Sequence, residues 1–205
     1  MKNRSTIRLF IILVFITPAV AYAAMNWYEK RFQGLPVLGP ADHTIGDFSL
    51  RDQEGDSVST AEWKGKIVVA DFFFTHCTAI CPVMTKNITR VQEKFRNDNE
   101  LLINSFTVDP EGDSAAQLKA YSRRFGIDHN KWQLLTGDKK QIYRLARNSF
   151  MVVATDGDGG PGDFIHSEKL VLIDKQKRIR GYYQGTSAKE VDQLIHDIKK
   201  LKDEN

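Results

Sequence analysis

Cysteine is scarce in this chain: two residues in 205, both inside one stretch, Cys77-Thr78-Ala79-Ile80-Cys81. A disulfide stabilises mainly by closing a loop, and more for a longer loop. Bridging Cys77 to Cys81 would constrain almost nothing, so a structural staple does not explain the pair. Charge of one sign is also missing from the body of the chain. The first 24 residues carry Lys2, Arg4 and Arg8 and no acid, which leaves 26 basic and 26 acidic side chains over the rest. A neutral body with no basic stripe and no interleaved aromatics argues against nucleic acid as a partner. There is no internal repeat, and the aspartates of residues 155–165 lack the EF-hand spacing and its terminal glutamate.

What is present begins with a leader. Lys2, Arg4 and Arg8 precede the apolar run Leu9–Phe15, and small residues follow, ending Ala21-Tyr22-Ala23-Ala24. This pattern is that of a secretory signal peptide. Leu9–Trp27 also gives about 19 mostly apolar residues, near the length of a membrane span. Both readings, cleaved signal and retained anchor, place the body outside the cytoplasm, with membrane association through the N-terminal segment in the second case. The expected location is the bacterial cell envelope, at the periplasmic face of the inner membrane. Thiols there tend to be oxidised, so two close cysteines point to chemistry.

The expected domains are 1–24 as signal or anchor, 25–46 as a linker broken by Gly34, Pro36, Gly39 and Pro40, and 47–205 as the folded body. Asp47–Ser59 reads as a hairpin about Glu54-Gly55-Asp56. Lys66–Phe74 (KIVVADFFF) reads as a strand buried on both faces. Met84, Ile88, Val91 and Phe95 then mark one face of a helix with Pro82 in its first turn. Leu101–Val108, Trp132–Leu135, Phe150–Ala154, Lys169–Asp174 and Arg178–Tyr183 read as further strands. Helices are expected after Ser114, over about 138–148, and after Ser187. This order predicts an α/β, thioredoxin-like fold: an N-terminal β-hairpin, then a central mixed sheet flanked by helices.

The cysteines fall where the first core strand gives way to a helix. Functional groups of open α/β sheets gather at such strand ends. A helix start favours negative charge, so both thiols are expected to titrate below the ordinary cysteine range. Three intervening residues put the sulfurs one helical turn apart, able to face one ion or to close a disulfide. Two thiolates suit Cu(I), and an imidazole would complete a trigonal set. Of the five histidines, His43 and His129 read as solvated, His196 as a helix-surface residue, and His76 as facing away from its neighbour Cys77. His166 lies just before the strand Lys169–Asp174. Oxidoreductases of the thioredoxin plan carry a cis-proline there, whereas this chain has His166-Ser167-Glu168. That replacement favours metal over disulfide exchange.

"FFFTHCTAICPVM", "TVDPEGD" and the "HS" before "KLVLID" together resemble the SCO/SenC family of copper-binding assembly proteins over about residues 40–200. The resemblance implies a thioredoxin-like fold holding one copper, Cu(I) or Cu(II), through Cys77, Cys81 and His166. It further implies help in building the dinuclear copper site of a respiratory cytochrome c oxidase. The partner is then the copper-bearing oxidase subunit or another extracytoplasmic copper acceptor. Many family members have aspartate directly before the histidine; here Ile165 stands there and Asp163 lies two residues earlier.

Two other readings stand beside the copper chaperone. One is a thiol–disulfide oxidoreductase, with Cys77 attacking and Cys81 resolving. The other is a peroxiredoxin, which Phe74 and Ala70 oppose by occupying the places of its threonine and proline. Asp109 and Asp113 read as turn and cap residues of an Asp-Pro turn, and Asn87-Ile88-Thr89, being mid-helix, is discounted as a glycosylation acceptor.

Overall fold

A computed structural model describes residues 10, 12–32, 34–153, 157, 160 and 163–204. Lys2, Arg4, Arg8, Ala154, Asp156 and Asp158 lie outside the described residues. The chain divides into two compact units, Met1–Gly34 and Leu35–Asn205. In the first, a π-helical turn over Ile12–Ile16 runs into helix α1, Thr17–Phe32. Among the described residues no helix is long and apolar enough to cross a membrane.

The second unit opens with irregular chain that is nonetheless anchored: Leu38 bridges to Ile179, and Ile45 is fully buried. The hairpin follows as strands β1 (Ser49–Arg51) and β2 (Ser57–Ser59), paired antiparallel. Its turn is closed by Asp52, whose Oδ1 accepts the backbone N–H groups of Glu54 and Asp56, both at 2.9 Å. Ser59 then caps a 3₁₀ turn, Thr60–Trp63.

Strand β3, Ile67–Phe73, is buried at all seven positions. It is the centre of a five-stranded sheet ordered β5-β4-β3-β6-β7. Strands β4 (Leu101–Thr107) and β5 (Trp132–Leu135) run parallel to β3, while β6 (Lys169–Ile173) and β7 (Ile179–Gln184) complete the other side antiparallel. A strand's side chains alternate between faces, so β3 serves two cores. Ile67, Val69 and Phe73 face helices α2 (Ile80–Lys94), α3 (Ala115–Phe125) and α5 (Ala188–Asp203). Val68, Ala70 and Phe72 face the hairpin, Trp63 and the short helix α4 (Lys139–Arg144). This unit is thus the mixed α/β sheet expected, with α2, α3 and α5 gathered on one face.

The second core is aromatic. The Phe106 ring lies 5.3 Å from each of Phe48, Phe72 and Phe150. The Trp63 indole N–H donates to Asn104 Oδ1 at 2.6 Å inside it, so the one polar atom of that ring is satisfied. Phe150 belongs to this cluster but not to a strand, which corrects the expectation for 150–154. After α4 the backbone tightens into a π turn, Leu145–Ser149. The Phe150 N–H returns to Leu145 O and the Val152 N–H to Ala146 O, while Met151 takes φ +50°. The segment is apolar because it plugs a core, and its N–H groups are used by the helix end. The sheet position beside β3 is held by β6 instead.

Candidate metal and thiol site

Cys77 and Cys81 sit where β3 gives way to α2. The chain leaves the strand at Phe74 and turns, with the Cys77 N–H donating to Phe74 O at 3.3 Å. Helix α2 starts at Ile80, and Met84, Ile88 and Val91 seal its inner face against the sheet. That packing fixes Cys81, 3% exposed, in the first turn, and leaves Cys77 half-buried at the rim. Both are free thiols. The Cys81 N–H points at Cys77 Sγ, 3.4 Å away.

The two sulfurs differ sharply in acidity. Partial burial pushes the Cys77 thiol up. The N–H and thiol of Cys81 and the N–H groups of Ala79 and Ile80 outweigh it, so Cys77 falls below the usual cysteine value. This is the helix-start effect expected from the sequence. Cys81 goes the other way: burial pushes its thiol up to about 12, against the pull of the Phe74 N–H. Neighbouring Asp71 adds to the rise. One accessible, acidic sulfur backed by one buried, protonated sulfur suits stepwise chemistry, since a nucleophile's thiolate fraction sets its reactivity. Iodoacetamide at neutral pH is therefore expected to alkylate Cys77 more than about tenfold faster than Cys81. Peptide mass spectrometry of briefly treated protein reads this directly; equal labelling of the two would refute the asymmetry.

His166 lies in the irregular segment 163–168 that leads into β6. Its side chain is exposed and rests on aromatic rings, 4.9 Å from Phe164 and 6.3 Å from Phe74 between ring centres. Phe74 is thus a neighbour of both the imidazole and the cysteine turn, its ring beside the first and its carbonyl accepting the Cys77 N–H. The donor atoms of Cys77, Cys81 and His166 do not all lie within 4.8 Å of one another. The trio of His, Cys, Asp and Glu groups that does so among the described residues is Asp52, Asp56 and His129, at the hairpin turn. Asp163 is held by Arg147 Nη2 at 2.6 Å.

The remaining histidines are partly as expected. His196 and His76 are exposed. His43 and His129 are not simply solvated: His43 Nε2 bonds Ser149 O at 2.7 Å, and His129 Nδ1 lies 3.7 Å from Asp52 Oδ2. One site residue escaped sequence reasoning. Asp71 is the single charged residue of β3, and its side chain is buried beneath the cysteines with a hydrogen bond from Ser105. Burial pushes its carboxyl up to about 7, against the pull of that hydrogen bond. A lone aspartate inside KIVVADFFF was the available signal.

A sequence profile described as SCO1/SenC matches residues 38–203. The chain belongs to the SCO1/SenC family. Solved structures of similar proteins agree with that membership. A SCO1/SenC family lipoprotein from Bacillus anthracis is 31% identical, with a TM-score of 0.70 over 82% of this chain and 99% of its own. BsSco, described as a member of the Sco family of cytochrome c oxidase assembly proteins and as having a disulfide switch, is 30% identical. Its TM-score is 0.67 over 80% of this chain and 96% of its own. Bradyrhizobium japonicum ScoI, solved with copper bound, is 27% identical, with a TM-score of 0.62 over 77% and 99%.

Proposed function

We propose that this protein carries one copper ion on Cys77, Cys81 and His166 and helps to build the dinuclear copper site of a respiratory cytochrome c oxidase. The observation that carries the reading is the pairing of an acidic, half-exposed Cys77 with Cys81 directly beneath it, on the strand end that His166 approaches from the β6 side. Two sulfurs and an imidazole form a soft donor set, the kind that suits Cu(I). Buried Cys81 would anchor the ion, exposed Cys77 would meet the acceptor, and His166 would join from its irregular segment. Irregular segments are where such movements are usually found. The copper-bound Bradyrhizobium relative and the oxidase-assembly description of BsSco support the same assignment. The acceptor is the copper-bearing oxidase subunit or another extracytoplasmic copper protein. The place of work is the bacterial envelope, for which the basic leader and the lipoprotein relative argue.

The same sulfur pair favours a second activity. Cys77 thiolate can attack a partner's disulfide, forming a mixed disulfide and releasing one partner thiolate. Cys81 then attacks the Cys77 sulfur, releasing the second thiol and leaving Cys77–Cys81 oxidised. The partner is reduced by two electrons, and the dithiol supplies them.

Anaerobic titration of the reduced protein with Cu(I) against a competing chelator tests the main reading. One equivalent should bind, and Cys77→Ala and Cys81→Ala should each remove tight binding. Copper uptake that survives both substitutions would eliminate the site.

A further inference from the structure

We propose that Asp113 is the positioning residue of the cysteine turn: its buried carboxylate, reaching over from the β4–α3 loop, fixes Thr75 and through it the presentation of Cys77. The inference rests on the reading of Cys77 as a copper ligand and assigns a role to the Val108-Asp109-Pro110-Glu111-Gly112-Asp113 segment, which that reading leaves unused.

Asp113 is fully buried. Its Oδ2 accepts the Thr75 backbone N–H at 3.0 Å and the Thr107 hydroxyl at 2.5 Å. Its Oδ1 accepts the Thr75 hydroxyl at 2.5 Å and faces His76 Nδ1 at 3.8 Å. One carboxylate therefore holds both the backbone and the side chain of the residue two before Cys77. Charge-assisted bonds of this kind are among the strong ones, and burial strengthens them further.

The loop is built to deliver that group. The Val108 N–H extends the sheet to Phe73 O at 2.8 Å. The chain then folds back, with the Asp113 N–H on Asp109 O at 2.8 Å. The Thr107 hydroxyl also receives the Asp109 N–H at 3.0 Å. The Gly112 N–H donates to Asp109 O at 3.1 Å and closes the fold-back. Capping of α3 does not account for Asp113, because the next residue, Ser114, accepts the Gln117 N–H and performs the cap. The sequence expectation of a turn-and-cap role thus holds for the loop but misses where the carboxylate goes. It joins the ends of β3 and β4, two parallel neighbours, immediately under the turn that presents the sulfurs. Groups that orient metal ligands from behind affect metal affinity about 10–100-fold when removed.

The test compares Asp113→Ala, Asp113→Asn, Thr75→Val and Thr107→Val in the full-length reduced protein. It has two readouts: Cu(I) affinity by chelator competition, and the rate of Cys77 alkylation without copper. Melting curves identify which variants are folded. Asp113→Ala is expected to weaken Cu(I) binding about 10–100-fold and to change the alkylation rate several-fold. Asp113→Asn, which keeps one acceptor oxygen, should fall between Ala and the parent. Thr75→Val should weaken binding about 3–10-fold, whereas Thr107→Val, which loses its bonds to Asp113 and to the Asp109 N–H but none to the cysteine turn, should stay within about threefold. Folded Asp113→Ala with parental affinity and alkylation overturns the proposal. If Asp113→Ala does not fold, a Thr75→Val protein no different from Thr107→Val overturns it instead. Failure of the copper reading itself would appear separately, as a parent that takes up no Cu(I), and the alkylation readout is independent of it.

Discussion

His166→Ala is expected to lower Cu(I) affinity by more than about 100-fold, since losing a ligand should exceed the loss of a group behind one. Its thiol chemistry is expected to change by less than about threefold, because the imidazole rests on Phe164 and Phe74 rather than closing on the sulfurs. The acidity of Cys77 is set by the N–H groups of the α2 start and by Cys81, all of which the substitution leaves in place. Chelator competition and disulfide-exchange rates, measured on one preparation, separate the two effects. A variant that keeps parental copper affinity would remove His166 from the donor set. A variant that loses copper binding and thiol exchange together would mean that the substitution has damaged the cysteine turn.

Asp71→Asn is expected to stabilise the fold by about 2–4 kcal/mol at pH about 8, and by less than about 1 kcal/mol at pH about 4. Burial raises the folded-state carboxyl from 3.8 to about 7, so the native protein binds this proton more tightly than the unfolded chain does. Below the unfolded value both states carry the proton and Asp71 costs nothing. As pH rises from about 4 to about 7 the unfolded chain releases it first, so unfolding becomes easier, and the full cost is reached above pH 7. An amide of the same shape removes the charge and can still accept from Ser105, whose own oxygen receives the Trp132 indole N–H at 2.8 Å. Urea unfolding of parent and variant at the two pH values reads the difference. A gap that does not grow with pH would show that the carboxyl is not held protonated by burial.

The parts of the fold legible in the sequence are those fixed by local pattern. An unbroken apolar run became the central strand. Met84, Ile88 and Val91 became the inner face of α2 with buried Phe95 at its C-terminal cap, and Ser114 and Gly126 became its successor's two ends. The strand-end placement of Cys77 and Cys81 followed from the same patterns. What pattern could not supply is set by contacts between distant residues. Phe150 and Val152 resemble strand residues because they are buried, but their backbone N–H groups are consumed by the preceding helix. Cys81 sits at a helix start yet titrates high, because the packing of α2 removes it from water. The bond from Thr75 to Asp113 crosses 38 positions of sequence. No local spacing predicts that an aspartate beside a helix cap will turn back under another strand.

The central claim is that two sulfurs and one imidazole hold a single copper ion, and X-ray absorption of the protein loaded with one equivalent of Cu(I) tests it most directly. The account predicts a first shell of two sulfurs and one nitrogen, with the nitrogen lost in His166→Ala and a sulfur lost in Cys81→Ala. A shell of two sulfurs alone in the parent protein, unchanged by His166→Ala, would contradict it.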